Sequence, residues 1–263
     1  MFQKNQFPAL LSLVLALTLF SCGSADNAQK TANEQIICAA DTKTCADGSK
    51  VSRIPPDCEF ASCTTITTPP KDFPVTGTIK LQDLKFTNCE MQGKNSQKTC
   101  PKSGDLVAKI VTSEGPIWFT LFADLVPNTV QNFTALATQE YYDSLIFHRV
   151  IPDFMIQTGD PTGTGRGGET ADGSQLLDEF DPELTHLYGA VSMANSGPDT
   201  NGSQFFFVQA KDGTSWLDNK HSVFGQVFQG LAVVDKIANA PRDSRDKPTT
   251  EIKMESVEIW RVK

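Results

Sequence analysis

The chain has 263 residues, 39% of them apolar, with 31 acidic side chains against 23 basic ones and a formal net charge of −8. That apolar share is enough to pack one or two cores. The charge is spread without an acidic block, and no basic stripe of the kind that tracks a phosphate backbone is present, which excludes nucleic acid as the partner.

Lys4 precedes an apolar run over residues 7–20, about fourteen long, which is short for a bilayer span and suits the hydrophobic region of a secretory signal. The run ends Leu19-Phe20-Ser21-Cys22-Gly23. A small residue before the cysteine, with Leu three places ahead of it, resembles the bacterial lipobox, although Phe20 departs from the small or β-branched residue usual there. The resemblance implies cleavage before Cys22, lipid on the new N-terminal cysteine, and a place in the bacterial cell envelope. That place is the outer side of the cytoplasmic membrane or the outer membrane. The alternative is a plain cleaved signal peptide with an incidental cysteine. Residues 1–21 are then a lipoprotein-type signal, and the polar stretch 22–35 is a flexible tether.

The seven cysteines are Cys22, Cys38, Cys45, Cys58, Cys63, Cys89 and Cys100. Setting Cys22 aside for lipid leaves an even six, the number expected of an exported disulfide set. Cys38, Cys45, Cys58 and Cys63 bracket a module over 36–64 that is too short and polar for its own core, so two disulfides of open connectivity are expected to hold it. Zinc is the competitor, but there is no C-x-x-C pair and no nearby His, and export implies an oxidising compartment; no metal is expected. Adjacency suggests that Cys89 pairs with Cys100 around Gly93. They lie in a linker over 65–103 that begins with a stiff Thr- and Pro-rich stretch.

From residue 104 the pattern changes. Runs at 106–111 and 117–122 flank Ser113-Glu114-Gly115-Pro116, a hairpin signal. Pro127 suits the first turn of a helix whose buried face carries Val130, Phe133 and Leu136. Two short strands follow within 146–157, broken at Pro152, which has no N–H for a ladder. Alternation puts Phe147, Arg149 and Ile151 on one side and Ile146, His148 and Val150 on the other. The second strand brings Phe154 or Met155, and Gln157, to the rim that Arg149 occupies. Five glycines fall between positions 159 and 168, a loop that lets backbone approach closely. Further strands are expected at 188–195, 204–209, 221–228 and 251–262, with a second helix over 231–238. Many short strands with two helices predict a mainly β domain, a closed antiparallel barrel that leaves no sheet edge.

The chemistry is narrowed by what is missing. There is no G-x-S-x-G, no Cys/His pair in this region and no H-E-x-x-H, and the glycine run at 163–168 lacks the Lys-Ser/Thr of a phosphate loop. Chemistry with no nucleophile, metal or cofactor fits rotation about a bond. Three blocks then speak together: Phe147-His148-Arg149-Val150-Ile151-Pro152-Asp153-Phe154-Met155-Ile156-Gln157, Ser192-Met193-Ala194-Asn195-Ser196-Gly197-Pro198 through Gln204-Phe205-Phe206-Phe207, and Trp216-Leu217-Asp218-Asn219-Lys220-His221. In this order and at these separations they resemble the cyclophilin family of peptidyl-prolyl isomerases over residues 104–263.

The resemblance implies an eight-stranded barrel capped by two helices, a peptidyl-prolyl cis-trans isomerase activity, no cofactor, and proline-containing polypeptides as partners. Arg149 would be the electrophile, with Gln157 holding it. Phe154, Met155, Phe206, Leu217 and His221 match the family's proline pocket. Asn195 and the Ala194 backbone would pair with the peptide main chain, and Gln204 would contact the residue beside proline. Gly165 stands beside the neighbouring subsite, and Trp216 matches the position associated with cyclosporin-type ligands. Ser196 stands where an Ala is common in the family, at the mouth of the second subsite. His148 and His186 read as structural, Trp118 and Trp260 as packing. A binding module that grips proline segments as a holdase is the rival reading, but it would not need Arg149. No interface signal is evident, so a monomer is expected.

Overall fold

The computed structural model describes residues 42–44, 50–54, 59–60, 72–83, 97 and 99–263. The signal, Cys22, the tether and the cysteines Cys38, Cys45, Cys58, Cys63 and Cys89 lie outside the described residues, and with Cys89 goes its expected pairing to Cys100. The chain divides into two compact units, Met1–Thr65 and Ile66–Lys263. The first contains an antiparallel sheet of β1 (Thr42–Thr44), β2 (Lys50–Ile54) and β3 (Glu59–Phe60), in that order.

The second unit opens with β4 (Gly77–Ile79) and continues with the hairpin β5 (Leu106–Thr112) and β6 (Gly115–Leu121). Helix α1 (Pro127–Thr138) follows, then β7 (Arg149–Ile151) and β8 (Met155–Thr158). Next come β9 (Ala190–Met193), β10 (Phe205–Val208), β11 (Val223–Gln229), helix α2 (Leu231–Ala238) and β12 (Met254–Val262). The strands form one sheet ordered β4-β12-β5-β6-β11-β9-β10-β8-β7.

The mainly β architecture with two helices is as expected, but the closed eight-stranded antiparallel barrel is not. Among the described residues this sheet has nine strands, β4 runs parallel to β12, and the ladder ends at β4 and β7. The reason is local. β7 lasts only three residues before Pro152, and the chain ahead of it is irregular. That chain meets the start of β12 through one isolated bridge, Ile146 with Lys253, and through single backbone bonds such as Phe147 N–H to Ile252 C=O at 2.9 Å.

Helix α1 buries Val130, Phe133 and Leu136, the three positions its spacing singles out. Phe133 packs among Phe224, Tyr142, Phe205 and Phe119 at ring separations of 5.1, 5.3, 5.4 and 5.7 Å, the tilted and edge-on arrangements that ring quadrupoles favour. Val126 at the N-cap offers no side chain to the first turn. Glu179, from a distant loop, does so instead: its carboxylate accepts from the N–H groups of Asn128 and Thr129 at 3.2 and 2.6 Å. Asn132 on the same helix donates to Gly202 C=O and accepts from Ala171 N–H, so α1 also pins two loops.

Trp118 and Trp260 pack against Val107, Phe228 and Val262 in a small separate cluster, as packing residues should. Part of the stretch read as linker belongs to the second unit. It supplies β4, and the fully buried Gln97 amide bonds Thr185 C=O at 2.6 Å and Thr185 N–H at 2.9 Å.

Candidate active site

Register builds the site. Arg149 stands opposite Gln157 on β8, Gln157 opposite Phe206 on β10, and Phe206 opposite Ser192 on β9. Directly opposed residues share a face of the sheet, so these four lie in one row. The residues between them, Val150, Ile156, Phe205 and Phe207, point the other way and are fully buried in the core. Met155, opposite Val208, falls on the same face as Arg149. The alternation therefore places the core on one side and the candidate chemistry on the other.

Phe206 is nonetheless buried, because other elements cover it. His221 meets it edge-on, ring centroids 5.6 Å apart at 85°. The His221 Nδ1–H donates to Met193 C=O at 3.0 Å, which fixes the tautomer and leaves Nε2 as the free nitrogen. Burial lowers the His221 pKa below its ordinary 6.5, so the ring is neutral at neutral pH. A short 3-10 turn, Ser215–Leu217, carries Trp216 and Leu217. Trp216 is 58% exposed and stacks on Phe154 at 6.2 Å, so it forms an open lip and not a core contact. Leu217 and Phe154 are half-buried against the core, and Met155 is buried. The five expected pocket residues thus come from three separate pieces of chain.

Arg149 is exposed, and its guanidinium makes no hydrogen bond among the described residues. Gln157 faces it across the strand pair but does not hold it: the Gln157 amide donates to Gln204 Oε1 at 2.9 Å, and Gln204 donates on to Gly167 C=O at 2.7 Å. This chain of amides borders a cavity of about 160 Å³ that Gly165, Arg166, Ala194, Asn195 and Ser196 also line. Asn195 differs from expectation as well. Its side-chain amide donates to Lys220 C=O at 2.8 Å, bracing the loop that leads to His221, which leaves backbone as its group for a peptide. Ser196 sits exposed at the cavity mouth, its N–H bonded to Thr200 Oγ1 at 2.8 Å.

The glycine loop is held by one carboxylate. Asp160, wholly buried, accepts from the N–H groups of Thr162, Thr164, Gly165 and Arg166 at 2.7, 3.0, 2.6 and 3.1 Å, and from the Thr162 hydroxyl. Burial opposes its charge, but these donors outweigh burial and bring its pKa down to about 2. His148 lies under Gly165, where a Cβ would come 3.6 Å from its ring, and neither ring nitrogen has a hydrogen-bond partner among the described residues.

Two residues stand directly behind Phe206: His186, read from the sequence as structural, and Asp218, which that reading leaves without a role. His186 stacks on Phe206 at 5.9 Å and 12°, and Asp218 accepts from His186 Nδ1–H at 2.7 Å. Asp218 lies within the quoted Trp216-to-His221 block, but nothing in the spacing joins it to a histidine 32 positions earlier.

The arrangement sets a buried aromatic cluster, a small cavity beside it with no nucleophile–base pair in its lining, and an exposed Arg149 near one another, which suits binding and polarising a bond more than cleaving one. Comparison with known proteins agrees. Residues 107–259 match the family model described as cyclophilin type peptidyl-prolyl cis-trans isomerase/CLD, more than half of the chain. A Staphylococcus haemolyticus protein that carries a peptidyl-prolyl cis-trans isomerase name is 46% identical over 174 residues, 56% of this chain and 88% of that one. A Staphylococcus aureus protein with the same name is 43% identical over 184 residues, 60% of this chain and 93% of the other. The crystal structure of a Cryptosporidium parvum cyclophilin type peptidyl-prolyl cis-trans isomerase superposes with a TM-score of 0.57 at 38% identity, covering 59% of this chain and 97% of its own. A second structure of that protein, in the presence of the dipeptide Ala-Pro, gives a TM-score of 0.56 at the same 38% identity, covering 58% and 98%. With a family model matched over more than half of the chain and relatives that match along most of their length, and with Arg149, Phe206 and His221 gathered at one site, this chain belongs to the cyclophilin-type peptidyl-prolyl cis-trans isomerases.

Proposed function

We propose that Arg149 is the electrophile of this isomerase and that its substrates are Xaa–Pro bonds in exported polypeptides at a bacterial envelope. Rotation about such a bond faces a barrier of about 18–20 kcal/mol set by amide resonance, and takes tens to hundreds of seconds unaided. Bringing it to milliseconds means a factor on the order of 10⁵, about 7 kcal/mol. Twisting the amide localises a lone pair on the prolyl nitrogen, and a guanidinium N–H placed there bonds the twisted state more strongly than either planar one. One charged hydrogen bond supplies about 1.5–3 kcal/mol, so the remainder falls to the water-excluded setting in which Arg149 meets the amide, while the walls around the proline ring supply binding.

Phe154, Met155, Phe206, Leu217 and His221 are the walls in this reading. Ala194 and Asn195 pair with the peptide through their backbone, while Gln204 and Gly165 border the subsite for the residue flanking proline. His221 moves no proton. Gln157 acts through Gln204, steadying the cavity wall and not Arg149. The single observation that carries the assignment is the row Arg149–Gln157–Phe206, which sets an unpaired cation and a pocket wall on one face of the sheet. Trp216, exposed beside Phe154, is the contact for cyclosporin-type ligands.

The apolar run before Cys22 supports a lipid anchor there, and six cysteines beyond it support three disulfides made after export. Substituting Cys22 by Ala should release the protein from membranes on fractionation; unchanged membrane association would count against the anchor. For the chemistry, the purified full chain should speed isomerisation of a short Xaa–Pro peptide well above background. Arg149→Ala should lower kcat about 10–10²-fold with the circular dichroism spectrum intact. A variant as fast as the wild type would remove Arg149 from the electrophile's place.

A further inference from the structure

One constellation behind Phe206 has no part in the reaction as described: Asp218, half-buried, with the buried His186 and Ser192. His186 Nδ1 lies 2.7 Å from Asp218 Oδ1, and its Nε2 lies 2.9 Å from Ser192 Oγ. The order is that of an acid–base–nucleophile relay. Ser192, however, is wholly buried on β9, directly opposite Phe206, so its hydroxyl meets no substrate carbonyl. The relay must do something other than acyl transfer.

What it does is fix a ring plane. With both nitrogens held, the buried imidazole keeps one orientation, and in that orientation it lies flat against Phe206 at 5.9 Å and meets His221 edge-on at 6.3 Å and 83°. The same residue fastens the turn that carries Trp216 and Leu217. Its backbone N–H donates to Asp218 Oδ1 at 2.9 Å beyond the turn, and its C=O accepts from Thr214 N–H at 2.8 Å ahead of it. Gly213, at φ +76, permits this approach, since a Cβ there would come 2.6 Å from His186 O.

We propose that His186, locked between Asp218 and Ser192, is the positioning residue of the proline pocket. It sets the plane of Phe206, the place of His221 and the seat of the Ser215–Leu217 turn, and touches no substrate itself. The inference rests on reading that pocket as the proline site. Its walls grip the proline ring alike in both planar states and in the twisted one, so loosening them removes uniform binding.

The test is steady-state kinetics of the full chain on a short Xaa–Pro peptide, with melting temperatures alongside. His186→Ala should raise KM about tenfold and leave kcat within about twofold, the reverse of Arg149→Ala. Because that variant leaves Ser192 buried and unpaired and can lower the folded fraction, Asp218 supplies the second arm; its side chain is 24% exposed, so its removal strands less buried polar surface, and the melting temperatures report the folded fraction. Asp218→Ala frees Nδ1 and should raise KM similarly, whereas Asp218→Asn keeps an acceptor oxygen and should restore KM to near the wild-type value. The double variant His186→Ala/Asp218→Ala should be no worse than His186→Ala alone, as expected of two members of one network. Lower melting temperatures with unchanged KM would overturn the proposal, as would a loss confined to kcat. A wild-type chain without isomerase activity would overturn both this inference and the reading of the pocket.

Discussion

Asp160 shows how one side chain can hold a loop in which every second position, on average, is glycine. The glycines give the loop freedom to approach a peptide, and the carboxylate removes that freedom again by taking four backbone N–H groups. Its displacement from 3.8 to about 2 corresponds to roughly 2 kcal/mol of preference for the charged, folded state. The sign follows from the lowered pKa: this stabilisation is present in full above pH 3.8 and is lost as pH falls towards 2. Asp160→Ala should therefore lower stability by about 2 kcal/mol at neutral pH and flatten the acid limb of the unfolding curve below pH 4. An acid limb identical to the wild type's would show that the donors are not stabilising the carboxylate. Of the residues around the site, Arg149, Phe206 and His221 are legible in the sequence only because the three blocks that carry them jointly resemble the cyclophilin family; alternation alone leaves Arg149 an ordinary edge residue and Phe206 core filler. His186 is not legible. Its function depends on Ser192 and Asp218, which only the folding of three strands and a turn brings to its two nitrogens.

At the level of elements, α1 is capped by a residue that does not belong to it. Pro127 sets the start of the helix, but Val126 cannot accept a bond, and the first-turn donors are met by Glu179 across 50 residues of chain. This ties the stability of a helix on the core side to the loop that runs past the site towards His186. Replacing Glu179 by Ala should cost about 1–2 kcal/mol and lower the melting temperature by roughly 2–8 °C, with the larger effect at low salt. No change in melting temperature would mean that water caps the turn equally well. The helices and the β5–β6 hairpin were legible because their signals are local: a proline at a helix start, apolar spacing of three and four, a Gly-Pro turn. The closure of the sheet was not. Whether a run of short strands ends as a ladder or as irregular backbone depends on the path of residues 144–147, where Ser144 adopts φ 65. Nothing in the alternation records that bend. β4 escaped notice for a similar reason, since three residues pairing in parallel with β12 carry too short a pattern to read.

For the whole molecule, all three histidines of the chain lie in the site or directly behind it, and burial lowers the pKa of each. Their surroundings differ. His148 is flanked by Asp160, Arg149 and Lys247, His186 by Asp218 and His221, and His221 by Asp178 and Lys220. Desolvation is nevertheless the largest cause in every case. A neutral buried ring resists protonation in the folded state, while the unfolded chain takes up protons as pH falls through about 6.5. Stability from the three rings is thus complete above pH 6.5 and is lost as pH falls through their lower folded values. Asp105, Asp143 and Asp178, whose pKa values burial raises, act in the opposite sense and favour the folded state as they take up protons. Their contribution begins at their raised folded values and is complete once pH is below 3.8, so it offsets part of the loss from the histidines as pH falls. The melting temperature of the second unit's transition should consequently fall between pH 7.5 and pH 5.5, and His148→Gln, which removes one titrating ring without touching the pocket walls, should make that fall shallower. A melting temperature that stays level across this range in the wild type would mean that the rings are protonated in the folded protein after all. Isomerase activity of the folded protein should instead hold over this interval and decline only as pH falls through the lowered values of His186 and His221, because both hold the wall formed by Phe206 and neither can take a proton without placing a charge beside an apolar ring.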